Sequence, residues 1–577
     1  MSLKNLILFL LLLCAHIGIA QNYSLEVIIN DYSETSPKIK YNKRFKNTQE
    51  LEKEINQIFI QLYGKGYLAA GIDSLITDSL HKTIYIKTGN SYKWVEIKSN
   101  NVDEGILSQA GFREKIYRNK IINYSQIERL MQRILIICQN QGYPFAKVKL
   151  DSVVINNHSI SANLLLDKNN FIVIDSIIIK GDAKINPIYI YNYLDVKPGD
   201  AYNENNLSKI SNRIKELAFV KESKAFDLLF TSEKNKLYLY LDKRKASTFD
   251  GVLGILPDDN NPGKIILTGD IRLKLLNSFG RGELIDINFR RLQTQTQELR
   301  TSFVFPYIFN TPLAFEGKLD IYRRDSSFIN VNRIGGIQYL FTGGNYIKTY
   351  IQSKSSSIIS NNGLENLSSL PDYADSRTLL YGVGFRTEKT DYRLNPRKGF
   401  RMQFNGAGGR RKILKHPKIK DELYDNIELS AMQYDTEFSG DAFIPTSKRS
   451  TIRIGQQAAY LIGKNLFENE LYRIGGFRTL RGFDEESIFA SFYTITHLEW
   501  RYLLEQNSYA YLFWNGAYYE NRSINKFIHD TPYGFGLGLS FETKAGIFSL
   551  NYAIGRQFNN PIDIRAAKVH FGLISFF

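Results

Sequence analysis

Across residues 246–577 the chain alternates apolar and polar side chains with period two. Ile265, Leu267, Ile271 and Leu273 interleave with Thr268, Asp270, Arg272 and Lys274. Phe400, Met402 and Phe404 interleave with Arg401, Gln403 and Asn405. Tyr533, Phe535, Leu537, Leu539 and Phe541 interleave with Gly534, Gly536, Gly538, Ser540 and Glu542. Successive side chains of a strand point to opposite faces, so this pattern specifies strands with one apolar face. About sixteen segments of roughly ten residues fit the span, which suits a 16-stranded antiparallel transmembrane β-barrel. A soluble sandwich would not carry so many strands with aromatic-rich outward faces.

Composition supports the membrane setting. Aromatic residues make up 13% of the 577, with 36 Tyr and 37 Phe, yet mean hydropathy is −0.27. A helical membrane protein would need apolar runs of about 20 residues, whereas a barrel's polar lumen dilutes its lipid face. The formal charge of +16 is spread along strand-like segments with no long basic run. It therefore speaks for anionic lipid headgroups and against nucleic acid. Cys14 and Cys138 are the only cysteines, too few for a disulfide framework or a four-ligand metal site. The seven histidines are scattered, and no HExxH, GxSxG or Walker sequence is present. Catalytic residues, metals and cofactors are accordingly not expected; the reading is non-enzymatic.

Residues 1–20 read as a signal peptide: Lys4, an apolar 6–13 core, and the small-residue site Gly18-Ile19-Ala20. From 21 to 245 the text is soluble α/β. Strand-like segments frame helical patterns such as Leu51, Ile55, Ile58 and Leu62, then Ile127, Leu130, Ile134 and Ile137. A third helix is expected across about 205–217. The order strand–helix–helix–strand–strand recurs about every 75 residues, which suggests units at 21–90, 91–168 and 169–245. Cys138 falls on a helix's apolar face and is expected to pack in a core.

Within the barrel region, about 461–490 is a long loop. Gly475 and Gly476 precede the tip Leu480-Arg481-Gly482-Phe483, and Asp484, Glu485 and Glu486 follow. Glycine lets such a loop fold back, and arginine offers a planar fork of donors to a carboxylate. Register on the next two strands places His497, Glu499 and Arg501 inside, then Phe513, Asn515 and Ala517. Glu499 is thus the expected lumenal partner of Arg481, with Asn515 beside it.

These features together resemble the outer-membrane assembly and translocation superfamily (BamA/TamA-like). In it periplasmic POTRA domains, β-α-α-β-β, precede a surface-antigen-type barrel whose inward-folded loop carries an Arg-Gly-Phe/Tyr tip. The three repeats are most similar to the TamA type. His497-Leu498-Glu499-Trp500-Arg501 resembles the strand after the loop. The next strand normally reads Phe-x-Asp-x-Gly, but here Phe513-Trp514-Asn515-Gly516-Ala517 lacks both the Asp and the final Gly. Asn395-Pro396-Arg397-Lys398-Gly399, Gly534-Phe535-Gly536-Leu537 and the terminal Phe577 also match.

The resemblance implies an outer-membrane location with periplasmic N-terminal domains. It implies a factor that binds client strands through POTRA domains and inserts or passes them by a lateral barrel seam. Implied partners are outer-membrane client proteins, outer-membrane lipids including anionic lipopolysaccharide, and a periplasm-spanning or lipoprotein partner. A two-partner secretion transporter and a passive porin or adhesin with periplasmic spacers remain open. The seam is expected between a first strand near 249–256, ended early by Pro257, and a last strand at 569–577. Gly251, Gly254 and Gly572 would weaken its pairing, and Phe577 would close the strand.

Overall fold

The computed structural model describes residues 23–30, 37–78, 80–99, 101–257, 265–293, 296–360, 362–392, 395–543 and 545–576. The 1–20 leader with Cys14, and the terminal Phe577, lie outside these residues. The described residues form two compact units, one drawn from within 23–175, 199–208 and 231–235, the other from within 176–198, 209–230 and 236–576.

The first unit contains two mixed four-stranded sheets. In one, Tyr23–Ile29 runs parallel to His81–Lys87, which forms a hairpin with Gly71–Thr77. The helix Thr48–Gly64 starts where Asn47 accepts the Glu50 N–H. It buries Leu51, Ile55, Ile58 and Leu62 against Leu25, Ile84 and Ile86, at about 1.5–3 kcal/mol for each large side chain. The second sheet orders Lys120–Ile121, Lys93–Lys98, Ser159–Asp167 and Lys147–Asn156. Its helix Tyr124–Asn140, capped by Asn123, buries Ile127, Leu130, Ile134 and Cys138. Burial pushes the Cys138 thiol upward, so it serves as a small apolar core residue rather than a reactive one. A further helix, Glu104–Ala110, escapes sequence periodicity because seven residues barely complete two turns. Gly71–Thr77 and Lys147–Asn156 are the outer strands of their sheets. They expose Ile72, Leu75 and Ile76 on one, and Val153, Val154 and Ile155 on the other.

The second unit opens with a three-stranded sheet, Val220–Leu229, Lys236–Lys243 and Ser176–Lys180, the last two parallel. The rest is a closed sixteen-stranded antiparallel barrel running from Thr248–Pro257 to Lys568–Phe576. Lys526–Asp530 and Tyr533–Thr543 count as one strand, since both pair with Tyr509–Ser523. The break falls at Pro532, which has no N–H to give to a ladder.

The helix Pro187–Leu194 packs on the barrel's short turns. The Asn186 N–H donates to the Gly280 carbonyl at 2.6 Å, and Asn277 Nδ2 donates to the Lys184 carbonyl at 3.1 Å. Tyr189 meets Tyr307 edge-on at 5.2 Å. Its ring also fills the space at Gly282, where a Cβ would stand 2.0 Å from it. Those turns define the end of the barrel that carries this α/β domain. The opposite, outer end bears the long connections, which build a small core from Leu364, Leu370, Ile413, Ile419, Tyr424 and Phe467. Lys526 ties two of them together through Asp372 at 2.7 Å and Glu468 at 2.8 Å.

The barrel closes where Thr248–Pro257 pairs with Lys568–Phe576, from Thr248 opposite Phe576 to Leu253 opposite Phe571. Gly251 faces Leu573 and Gly572 faces Val252. Gly254 lies past the end of this seam and pairs only with Thr268 of the second strand. Pro257 does not end the first strand early; it is still in register with Ile265. The reason is geometric. The last strand begins at Lys568, and Lys568 to His570 pair only with the penultimate strand. No hairpin sets the register between the first and last strands.

Candidate functional site

The loop leaves the strand Ser450–Ile462 and returns at Phe492–Leu503, with a short hairpin of Tyr472–Ile474 and Ile488–Ala490 inside it. Gly475 (φ 114°), Gly476 (φ 94°) and Gly482 (φ 96°) occupy backbone conformations that other residues rarely adopt. A Cβ on Gly476 would stand 2.2 Å from the Glu485 carboxyl group. Leu480 is fully buried and, with Phe483, packs against Ile474, Ile488, Ile495, Ala517 and Tyr519. The tip is thereby moulded to the barrel wall.

Arg481 Nη2 donates to Glu499 Oε1 at 2.7 Å and to Asn515 Oδ1 at 3.1 Å. The guanidinium lies 3.8 Å from the centre of the Phe513 ring, a cation–π contact. Glu499 carries more than this one pair. Arg453 Nη1 donates to it at 2.8 Å, and Arg501 donates through Nε at 3.0 Å and Nη2 at 2.6 Å. One buried carboxylate therefore serves three guanidinium groups. Arg453 also reaches Asp441, which pairs with Arg401, each at 2.7 Å. Asn515 Oδ1 lies 3.1 Å from His497 Nδ1. With a neutral amide at position 515, the charge of Arg481 falls to Glu499 alone.

Three glycines hold the tip against the wall. A Cβ on Gly482 would stand 2.7 Å from the Gly555 N, and one on Gly534 would stand 2.0 Å from the Arg481 carbonyl oxygen. A Cβ on Gly555 would meet the Gly482 carbonyl at 2.6 Å. Loop and wall thus touch backbone to backbone, which only glycine permits.

The acidic residues after the tip reach the other side of the lumen. Glu485 and Glu486 pair with Arg290 at 2.7 and 2.5 Å, and Glu486 also holds Arg473 at 2.8 Å. Arg290 and Arg300 share Glu298, at 2.8 and 2.7 Å. Arg478 reaches Asp270 of the second strand at 2.9 Å, while Asp484 reaches Lys568 of the last strand at 2.6 Å. The loop therefore grips both flanks of the seam. Sequence reasoning places Arg481, Glu499 and Asn515 together, as the structure does, with Gly475 and Gly476 at the loop's base. It misses Arg453, Arg290, Arg473 and Lys568. A signal was available for Arg453, Arg290 and Lys568, which face the lumen from barrel strands and each need a carboxylate; Arg473 sits on the hairpin inside the loop, where no barrel register reaches it.

No curated protein matches the chain. A family model, the Omp85 superfamily domain, matches residues 277–577. Among solved structures the chain is similar to CdiB from Acinetobacter baumannii, with 14% identity and a TM-score of 0.55. The match covers 92% of this chain and 97% of that one. CdiB from Escherichia coli is similar at 12% identity and a TM-score of 0.53, with the same coverage. At such identities the likeness speaks to fold. The family model spans more than half of the sequence. The chain is an outer-membrane β-barrel protein with periplasmic N-terminal domains and a part in protein assembly or translocation, and it belongs to the Omp85 superfamily.

Proposed function

We propose that this protein takes client strands from the periplasm and inserts them into the outer membrane through its seam, without enzymatic chemistry. The observation that carries the reading is the seam itself. Residues 254–257 of the first strand run beyond the last strand and pair only with the second. A backbone edge without a partner is costly in lipid, and an incoming strand would satisfy it. The outer strands Gly71–Thr77 and Lys147–Asn156, with their exposed apolar residues, offer edges for capturing such a strand beforehand. The loop, tied to Asp270 on one flank and Lys568 on the other, braces the seam between clients.

A second reading, passage of a secreted chain along the lumen as in two-partner secretion, is favoured by a polar cavity of about 440 Å³. It is lined by Arg272, Asp286, Lys318, Asp320, Asn405 and Glu437 among others. One experiment separates the two. Gly251→Cys with Leu573→Cys places thiols at facing positions of the seam. Oxidation is expected to abolish client assembly in reconstituted vesicles, and reduction to restore it. Unchanged activity with the cross-link confirmed would transfer the work to the lumen or to a passive pore.

A further inference from the structure

The barrel's outward face is largely apolar, but a group of neighbouring cations interrupts it near the outer end. Arg377 of the strand Asp375–Thr390, and Arg410 and Lys412 of Gly399–Leu414, are exposed. Period-two alternation puts Arg377 on the face of Leu379, Tyr381, Val383 and Phe385, all exposed to lipid. Arg410 and Lys412 share the face of Phe400, Met402 and Phe404. These three cations therefore point away from the lumen.

Register brings them together. Arg377 stands directly opposite Lys412, and Arg410 stands opposite Leu379 on one side and Met432 on the other. Side chains facing each other across an antiparallel pair have Cβ atoms about 4.5–5.5 Å apart, and like charges there repel. Among the described residues no carboxylate lies within ion-pair distance of Arg377, Arg410 or Lys412, and none of the three side chains makes a hydrogen bond. Two acids of the same rim are engaged elsewhere: Asp375 accepts the Ile358 N–H at 2.7 Å, and Glu428 pairs with Lys464 at 2.7 Å. Ser355 and Ser430 flank the cluster opposite Arg377 and Lys412. One step toward the membrane centre, Tyr381 and Tyr434 both face Gly408 from either side and are exposed. Exposed tyrosines at this position mark the headgroup level of the bilayer.

We propose that this sector binds the phosphate-bearing headgroup of an outer-leaflet lipid. The phosphate oxygens accept from the two guanidinium groups and the ammonium group, and relieve their mutual repulsion. Acyl chains then lie along Leu379, Val383 and Met432. The site stands apart from the seam and the loop, so it holds or falls independently of the insertion reading.

The test uses the full-length protein in neutral detergent, with a bis-phosphorylated glucosamine lipid and its dephosphorylated form as probes. Bound lipid is counted by native mass spectrometry. The wild type is expected to retain the phosphorylated lipid far better than the dephosphorylated one. Arg377→Gln, Arg410→Gln and Lys412→Gln together should weaken the phosphorylated lipid on the order of a hundredfold and leave the other unchanged. Lys412→Gln alone, the mildest change, should weaken it about fivefold. Equal retention of the two lipids by the wild type would overturn the proposal whether or not the triple variant folds. So would undiminished retention by a variant that keeps heat-modifiable gel migration.

Discussion

Replacing Glu499 with leucine is expected to destabilise the barrel by about 3–5 kcal/mol and to abolish client assembly. The carboxylate is 4% exposed and is the shared acceptor of Arg481, Arg453 and Arg501. Its loss leaves three guanidinium groups crowded together, with Asp441 able to answer only Arg453. Arg481→Ala acts differently. Glu499 keeps two partners, so the fold should lose only about 1–3 kcal/mol, while the loop tip loses its hold and activity falls. Exchanging the two charges should not rescue function, because an arginine at 499 would face Arg453 and Arg501. Urea midpoints of heat-modifiable migration, with client assembly in vesicles, separate these outcomes. Equal midpoints for the two single variants would contradict the shared-acceptor account.

Gly534→Ala is expected to expel the loop tip from the wall. Its Cβ would stand 2.0 Å from the Arg481 carbonyl oxygen and 3.2 Å from that of Ile554. Both obstacles are backbone, so no rotamer change relieves them, and the strain of about 1–3 kcal/mol falls on the loop. Limited proteolysis should then cut within 473–490 where the wild type resists. Gly335→Ala, whose Cβ would meet nothing within 4 Å, is the control and should behave as wild type. A resistant, fully active Gly534→Ala protein would mean that the loop does not need its close seat.

The barrel was legible because alternation is a local signal that lipid enforces strand after strand. Leu498, Trp500 and Tyr502 face out and His497, Glu499 and Arg501 face in, so period two alone assigns the lumenal side of that strand. The same rule placed Asn515. It could not find Arg290 as the partner of Glu486, because the two lie 196 residues apart and a free loop sets no register. It also misjudged where Gly254 would lie, since the first and last strands meet only after the full circuit of the barrel. Their offset depends on the stagger accumulated over every hairpin between them. Glycine packing was hidden for a related reason. Gly482, Gly534 and Gly555 read as ordinary loop and strand glycines until the loop is laid against the wall. Short helices such as Glu104–Ala110 and Pro187–Leu194 lack the length to show a period.

The central claim is that a client strand pairs with the barrel's first strand once the seam parts. A photo-cross-linking amino acid at position 249, opposite Ser575 in the closed seam, tests it in living cells. During client assembly the adducts should include outer-membrane client proteins, and these should vanish when Gly251→Cys and Leu573→Cys lock the seam. Adducts confined to the protein's own last strand, with clients still assembling, would contradict the account.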